Sequence, residues 1–141
     1  MTFRTRALER ATHDLDVYLQ EVLRDVQVTQ AEIHVLGYLA DSGPATVGEI
    51  HGSFGHRRST LSSVLNRLEH RDLIARSINP DDRRSIVVTL TAAGTTTAAR
   101  VSEVIRELEG QVAATATPAE QAGFSAVLTA LGAATRARSP G

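Results

Sequence analysis

The 141-residue chain carries 15 basic residues, all arginine, against 16 acids, with 42% hydrophobic and only 4% aromatic residues. That length suits one domain whose core is built from Leu, Val, Ile and Ala, and 42% is enough for a real core. The absence of cysteine excludes a disulfide framework, a thiolate zinc site, a cysteine nucleophile and a thiol redox sensor. No apolar run approaches the roughly 18 residues a membrane span needs. Residues 1–10 also lack the apolar stretch of a signal peptide, so the cytoplasm is the expected compartment.

Residues 4–26 read as an amphipathic helix. Leu8, Ala11, Leu15, Tyr18 and Val22 recur every three or four positions, with Leu19, Leu23 and Val26 widening the stripe. Such a stripe serves packing within the subunit or against a second one. Three later helices start with a Thr followed three residues on by Glu: Thr29 with Glu32, Thr46 with Glu49, and Thr117 with Glu120. Each pair is a candidate capping box, in which the Thr oxygen accepts a first-turn amide and the Glu reaches back. Pro118 suits a first helical position. The second helix is predicted over 30–41, with Ile33, Leu36 and Leu39 inward. The third runs over 47–54, with Val47, Ile50 and Phe54 inward and Gly55 ending it.

A fourth helix is predicted over 58–71 after a very short turn. Leu61, Val64, Leu65 and Leu68 form its apolar stripe, and Arg58, Ser59, Ser62, Ser63, Asn66, Arg67 and His70 its other face. That face shows no acid before Glu69. A generic solvated helix mixes acids and bases for pairing four residues apart; this one is arranged to face an anion. Residues 74–78 and 86–90 alternate apolar and polar residues, a strand signal. Asn79-Pro80-Asp81-Asp82-Arg83-Arg84-Ser85 joins them as a loop with two adjacent arginines at the tip of a hairpin. Thr91 can cap a fifth helix over 92–113, with Val101, Val104, Ile105, Leu108 and Val112 in its stripe. A sixth follows over 118–135, with Phe124, Val127, Leu128 and Leu131; the tail from Arg136 to Gly141 is expected to fray.

Charge sharpens this pattern. Residues 56–84 hold seven arginines against four acids, whereas residues 1–55 hold four against eight. Two short helices joined by a tight turn, the second with a polar, acid-poor face, are the elements of a helix-turn-helix. In that geometry the second helix lies in the major groove and its early residues meet base edges. Arg58, Ser59, Ser62, Ser63 and Asn66 are candidate readers, since Arg pairs with guanine and Asn with adenine. Arg83 and Arg84 suit a narrow minor groove, where the potential is most negative.

Residues 29–94 resemble the winged helix-turn-helix of the MarR (multiple antibiotic resistance regulator) family. The wing carries the most specific part of the likeness. Asn79-Pro80-Asp81-Asp82-Arg83-Arg84 followed by Val88-Thr89-Leu90-Thr91-Ala92-Ala93-Gly94 resembles the family's Asp-Pro-x-Asp-Arg-Arg and Leu-Thr-x-x-Gly pattern. Ser59-Thr60-Leu61, Asn66-Arg67-Leu68-Glu69 and Leu73-Ile74 resemble its recognition helix. The resemblance implies a mainly α fold with a small β-hairpin wing. Residues 29–91 would form the DNA-binding core, and residues 1–28 and 92–141 a helical dimerisation region. It also implies a homodimer on a palindromic operator of double-stranded DNA, commonly as a repressor. DNA contacts would come from Arg57, Arg58, Ser59, Thr60, Ser62, Ser63, Asn66 and Arg67 on the helix, and from Asp82, Arg83 and Arg84 on the wing. Arg84 would probe the minor groove while Asp82 and Arg83 brace it or contact the backbone. Many relatives release DNA when a small aromatic or phenolic anion enters a cleft; Arg10, His13 and Tyr18 are the candidates to line one here. No cofactor is implied.

The chain departs from the family pattern at four places. His56 stands where an apolar residue usually plugs the turn, and Arg57 where Ser or Asp normally caps the recognition helix. Asp72 replaces the usual Gly, which is tolerable because Asp visits the left-handed region. Ser63 replaces a longer basic residue. Other readings have less support. His13, His34, His51, His56 and His70 are scattered, with no catalytic order, no His-x-x-x-His pair and no phosphate-cradling Gly loop. An enzyme is therefore not expected. A metal-responsive regulator, or a winged-helix interaction module that has lost DNA binding, are the alternatives.

Overall fold

The computed structural model describes residues 4–54 and 57–138, so the readings made at Gly55 and His56 lie outside the described residues. The elements are α1 (Thr5–Val22), α2 (Gln30–Ser42), β1 (Ala45–Thr46), α3 (Val47–Phe54), α4 (Arg58–His70), β2 (Ile74–Ile78), β3 (Ile86–Leu90), α5 (Ala92–Thr115) and α6 (Pro118–Arg136). They fall into two compact units, Met1–Val104 and Ile105–Gly141.

The first unit holds the core, where Ile33, Leu36, Ile50, Leu65, Leu68, Ile74, Val88, Val101 and Val104 are almost wholly removed from water. Ile50 of α3 and Leu61, Val64, Leu65 and Leu68 of α4 are buried as their periodicity predicts. Phe54 is half-buried instead, with the His34 ring stacked on it at 5.4 Å and Tyr38 edge-on at 6.0 Å. The sheet is antiparallel with order β1-β3-β2. Ile74 pairs with Leu90 and Ile78 with Ile86, while β1 sits on the other side of β3 through Ala45 opposite Val88. Only the inner end of the hairpin is covered: Ile74 and Val88 are buried, whereas Ile78 is 63% exposed near the tip. The hairpin therefore projects as a wing.

Helix α1 is shorter than the predicted 4–26. It stops at Val22, and the chain turns through Gln27, which has φ 49. The carbonyls of Val26 and Gln27, which would otherwise have continued a helix, accept from the Arg71 guanidinium at 2.9 Å each. The buried edge of α1 is Leu19 and Leu23, while Leu15 and Tyr18 of the predicted stripe are exposed. Helix α5 is bolted at its start. The Thr91 hydroxyl donates to the Asp72 carbonyl at 2.6 Å and accepts from the Gly94 amide at 3.0 Å, and the Thr91 amide donates to Leu73 O. Gly94 lies so close to this turn that a Cβ would sit 1.7 Å from the Leu73 carbonyl oxygen. Asp72 takes φ 57, the left-handed conformation its side chain tolerates.

In the second unit, α6 begins with a complete capping box: Thr117 Oγ1 accepts from the Glu120 amide while Glu120 accepts from the Thr117 amide at 2.7 Å. None of its residues is buried. Arg136, expected in a frayed tail, is the last residue of the helix.

Candidate nucleic-acid interface

Helix α4 presents its acid-poor face as expected. Arg58, Ser59, Thr60, Ser62 and Ser63 are all exposed, with Leu61, Val64, Leu65 and Leu68 turned to the core beneath them. Its N-terminus, like that of α1, differs from those of three other helices. Helices α2, α3 and α6 each have an acid in the first turn and a threonine accepting the amide of that acid. Helix α4 has neither: Arg57 occupies the cap position with no side-chain cap hydrogen bond, and no acid follows. The first amides of α4 and the Arg57 and Arg58 side chains therefore add positive potential at the same end, an anion-accepting arrangement.

The wing tip is pre-shaped. The Asp82 carboxylate accepts from the Arg84 amide at 3.0 Å, Asn79 Oδ1 accepts from the Asp81 amide at 3.0 Å, and the Asn79 amide group donates to Ser85 Oγ. These short side-chain closures fix the backbone of the tip around Asp82. Arg83 and Arg84 are exposed, and neither guanidinium has an ion pair among the described residues.

Two predicted readers are engaged within the protein. Arg67 Nε lies 3.4 Å from Glu32 Oε1, and Asn66 Oδ1 accepts from Arg76 Nη2 at 2.8 Å. Glu32, 3% exposed, is the hub of the first arrangement. It accepts from the Thr29 hydroxyl and from Arg71 Nη1 at 3.1 Å as well as from Arg67, so only half of the capping box predicted at Thr29 forms. One buried carboxylate thereby anchors two turns of α4 to the start of α2. Arg76 is the hub of the second. Its guanidinium meets the Glu69 carboxylate through two hydrogen bonds, of 3.1 and 2.9 Å, and tethers the wing strand β2 to the exposed side of α4. The hydrogen bond from Arg76, opposed by desolvation and reinforced by its charge, holds the Glu69 carboxyl below its ordinary range.

Sequence reasoning gave Glu32 only a capping role beside Thr29 and assigned no partner to Arg71 or Arg76. The signals were present: Glu32 adjoins the inward residue Ile33 on a largely apolar helix, and Arg76 occupies an inward-alternating strand position between Ile74 and Ile78. Of the residues proposed to line a ligand cleft, Arg10 pairs with Asp14 at 3.9 Å, Tyr18 is exposed, and His13 borders a shallow groove along α1 with Asp16, Val17 and Arg24. No cluster of three or more His, Asp or Glu residues that could hold a metal occurs among the described residues.

Two short helices, the second riding on the core with its polar face outward, followed by a hairpin tethered to that face, constitute a winged helix-turn-helix. The MarR family model matches residues 28–86 of this chain. The chain is 30% identical over 87 residues to the HTH-type transcriptional repressor NicR of Pseudomonas putida, a match covering 62% of this chain and 55% of NicR. The chain thus spans little more than half the length of that relative. Among solved structures, the Bordetella bronchiseptica regulator BpsR shares 26% identity at a TM-score of 0.75, over 91% of this chain and 97% of BpsR. The S. aureus protein MepR in its DNA-binding conformation shares the fold at a TM-score of 0.84 and 24% identity, over 94% and 99% of the two chains.

Proposed function

We propose that the protein is a sequence-specific DNA-binding transcription regulator, a repressor, that grips a palindromic operator as a homodimer and answers to a small-molecule ligand. The observation that carries this is the uncapped, acid-free N-terminal half of α4, with two exposed wing arginines that form no ion pair among the described residues, on the hairpin that Arg76 ties to the same helix. In this reading α4 enters the major groove, Arg58, Ser59, Thr60, Ser62 and Ser63 face bases or phosphates, and Arg84 enters the minor groove beside Arg83. Arg67 reaches the backbone only by sharing its charge with Glu32. Such a role belongs in the cytoplasm and involves no catalysis.

The homodimer rests on the apolar residues left in solvent: Leu15, Val17 and Tyr18 on α1, and Val112, Phe124, Val127 and Leu128 in the second unit. Large apolar side chains left exposed in each unit are candidates for association surfaces. NicR is named a repressor, and BpsR is described as having its DNA binding regulated by 6-hydroxynicotinic acid. Small aromatic acids are accordingly the ligand class with which to begin.

The decisive experiment is selection of bound duplexes from a random pool, followed by binding measurements at two salt concentrations. A palindrome with half-sites about 10 bp apart is expected, with affinity falling steeply as salt rises because several phosphates are contacted. An absence of sequence enrichment, with no salt-dependent binding, would instead favour the interaction-module reading.

A further inference from the structure

Asn66 shares one stripe of α4 with Ser59, Ser62 and Ser63, at helical spacings of seven, four and three residues. It is thus part of the face that the regulator reading turns toward base edges, and the role inferred for it rests on that reading. Its side-chain amide is not free to choose its orientation. Arg76, clamped by two hydrogen bonds to Glu69, directs Nη2 at Asn66 from 2.8 Å. A guanidinium has only donors, so the atom facing it must be the amide oxygen. That leaves Nδ2, with its two N–H groups, as the part of Asn66 without a partner among the described residues.

This orientation matters for recognition. Asparagine selects adenine by accepting from N6 with its oxygen while donating to N7 with its nitrogen. Here one of the oxygen's two lone pairs is already taken by a guanidinium, whose charge and bulk disfavour a second donor there and fix the direction in which Nδ2 points. Adenine would bring its N6 amino group against an N–H donor, whereas guanine offers two adjacent acceptors, N7 and O6, and no donor on that edge. We infer that Arg76 sets the reading polarity of Asn66, so that α4 selects guanine at this position instead of the adenine an unconstrained asparagine selects. Arg76 is a positioning residue: it reaches the base through Asn66.

The test is selection from a random duplex pool at fixed salt with the wild-type dimer and the variants Asn66→Ala, Asn66→Asp and Arg76→Met. The wild type is expected to enrich guanine at one symmetric position of each half-site, and that preference flattens in Asn66→Ala. Arg76→Met releases the oxygen and moves the same position to adenine. Asn66→Asp keeps an acceptor for Arg76 but replaces the donors, moving the position to cytosine, whose N4 donates, by about five- to tenfold. The remaining positions stay unchanged in every variant. Because Asn66→Asp alters only an exposed side chain, it carries the test even if Arg76→Met fails to fold. Adenine at the Asn66-sensitive position of the wild type, guanine retained in Arg76→Met or Asn66→Asp, or no position that responds to Asn66→Ala would each overturn the inference while leaving the regulator reading intact. Failure of the wild type to enrich any sequence removes the regulator reading, and this inference with it.

Discussion

At Arg76 one planar cation joins strand to helix, and the pH dependence of that joint is set by its partner. The Glu69 carboxyl is held below its ordinary range, first by the hydrogen bond from Arg76. A group with a depressed folded-state value contributes stability that is fully present above the unfolded value and is lost as pH falls through the folded one. The wild type should therefore be more stable than Arg76→Met near neutrality, with the gap closing in acid below the ordinary carboxyl value. Urea unfolding of both proteins across that range measures it, and a pH-independent gap would assign the effect to packing. Gly94 makes a different demand. A Cβ there meets backbone, the Leu73 carbonyl, which cannot swing aside as a flexible side chain can. Gly94→Ala should cost about 1–3 kcal/mol, the range of overpacked sites, and the loss should appear as a lower urea midpoint with circular dichroism little changed.

Among the elements, the N-terminus of α4 is where stability and binding oppose one another. A Ser at position 57 would supply the missing cap, worth about 1 kcal/mol, while withdrawing a cation from the end of the helix proposed to face DNA. Arg57→Ser should raise the unfolding midpoint and weaken binding to all sequences alike, reducing the slope of log affinity against log salt by about one. A change in sequence preference instead would show that Arg57 reads bases and does not hold a phosphate. The elements also show what the chain reveals on inspection. Helix α3 and strands β2 and β3 fall at the predicted bounds because capping and turn residues flank them: Thr46 before α3, Asp72 and Asn79-Pro80 around β2, and Ser85 before β3. Strand β1 did not register: two residues carry no period, and Ala45–Thr46 is a strand only because β3 offers it an edge. The end of α1 was equally hidden. No Gly or Pro marks residues 23–27, and the turn is held by Arg71, more than 40 positions away. The same holds at the reading face. Its composition was legible in the heptad-like spacing of α4, but the engagement of Asn66 by Arg76 and of Arg67 by Glu32 depends on tertiary neighbours that local pattern does not encode.

For the whole molecule, the second unit sets the terms. Helix α6 runs for 19 residues without a buried side chain, and Phe124 is 57% exposed. Most helical stability in proteins comes from packing an apolar face, and α6 buries none of its own. Placing a charge there tests whether a second copy supplies that packing: Phe124→Arg should convert a dimer into a monomer by sedimentation velocity and lower operator affinity strongly. An unchanged sedimentation coefficient would assign this face no part in association. The uncovered face of α6 also bears on dosage. If folding of this unit is completed only by pairing, its melting temperature climbs with protein concentration. At low expression the population able to occupy an operator then grows with the square of the number of chains. In the proposed regulator, a modest change in synthesis or degradation would be returned as a disproportionate change in promoter occupancy, a threshold set before any effector acts.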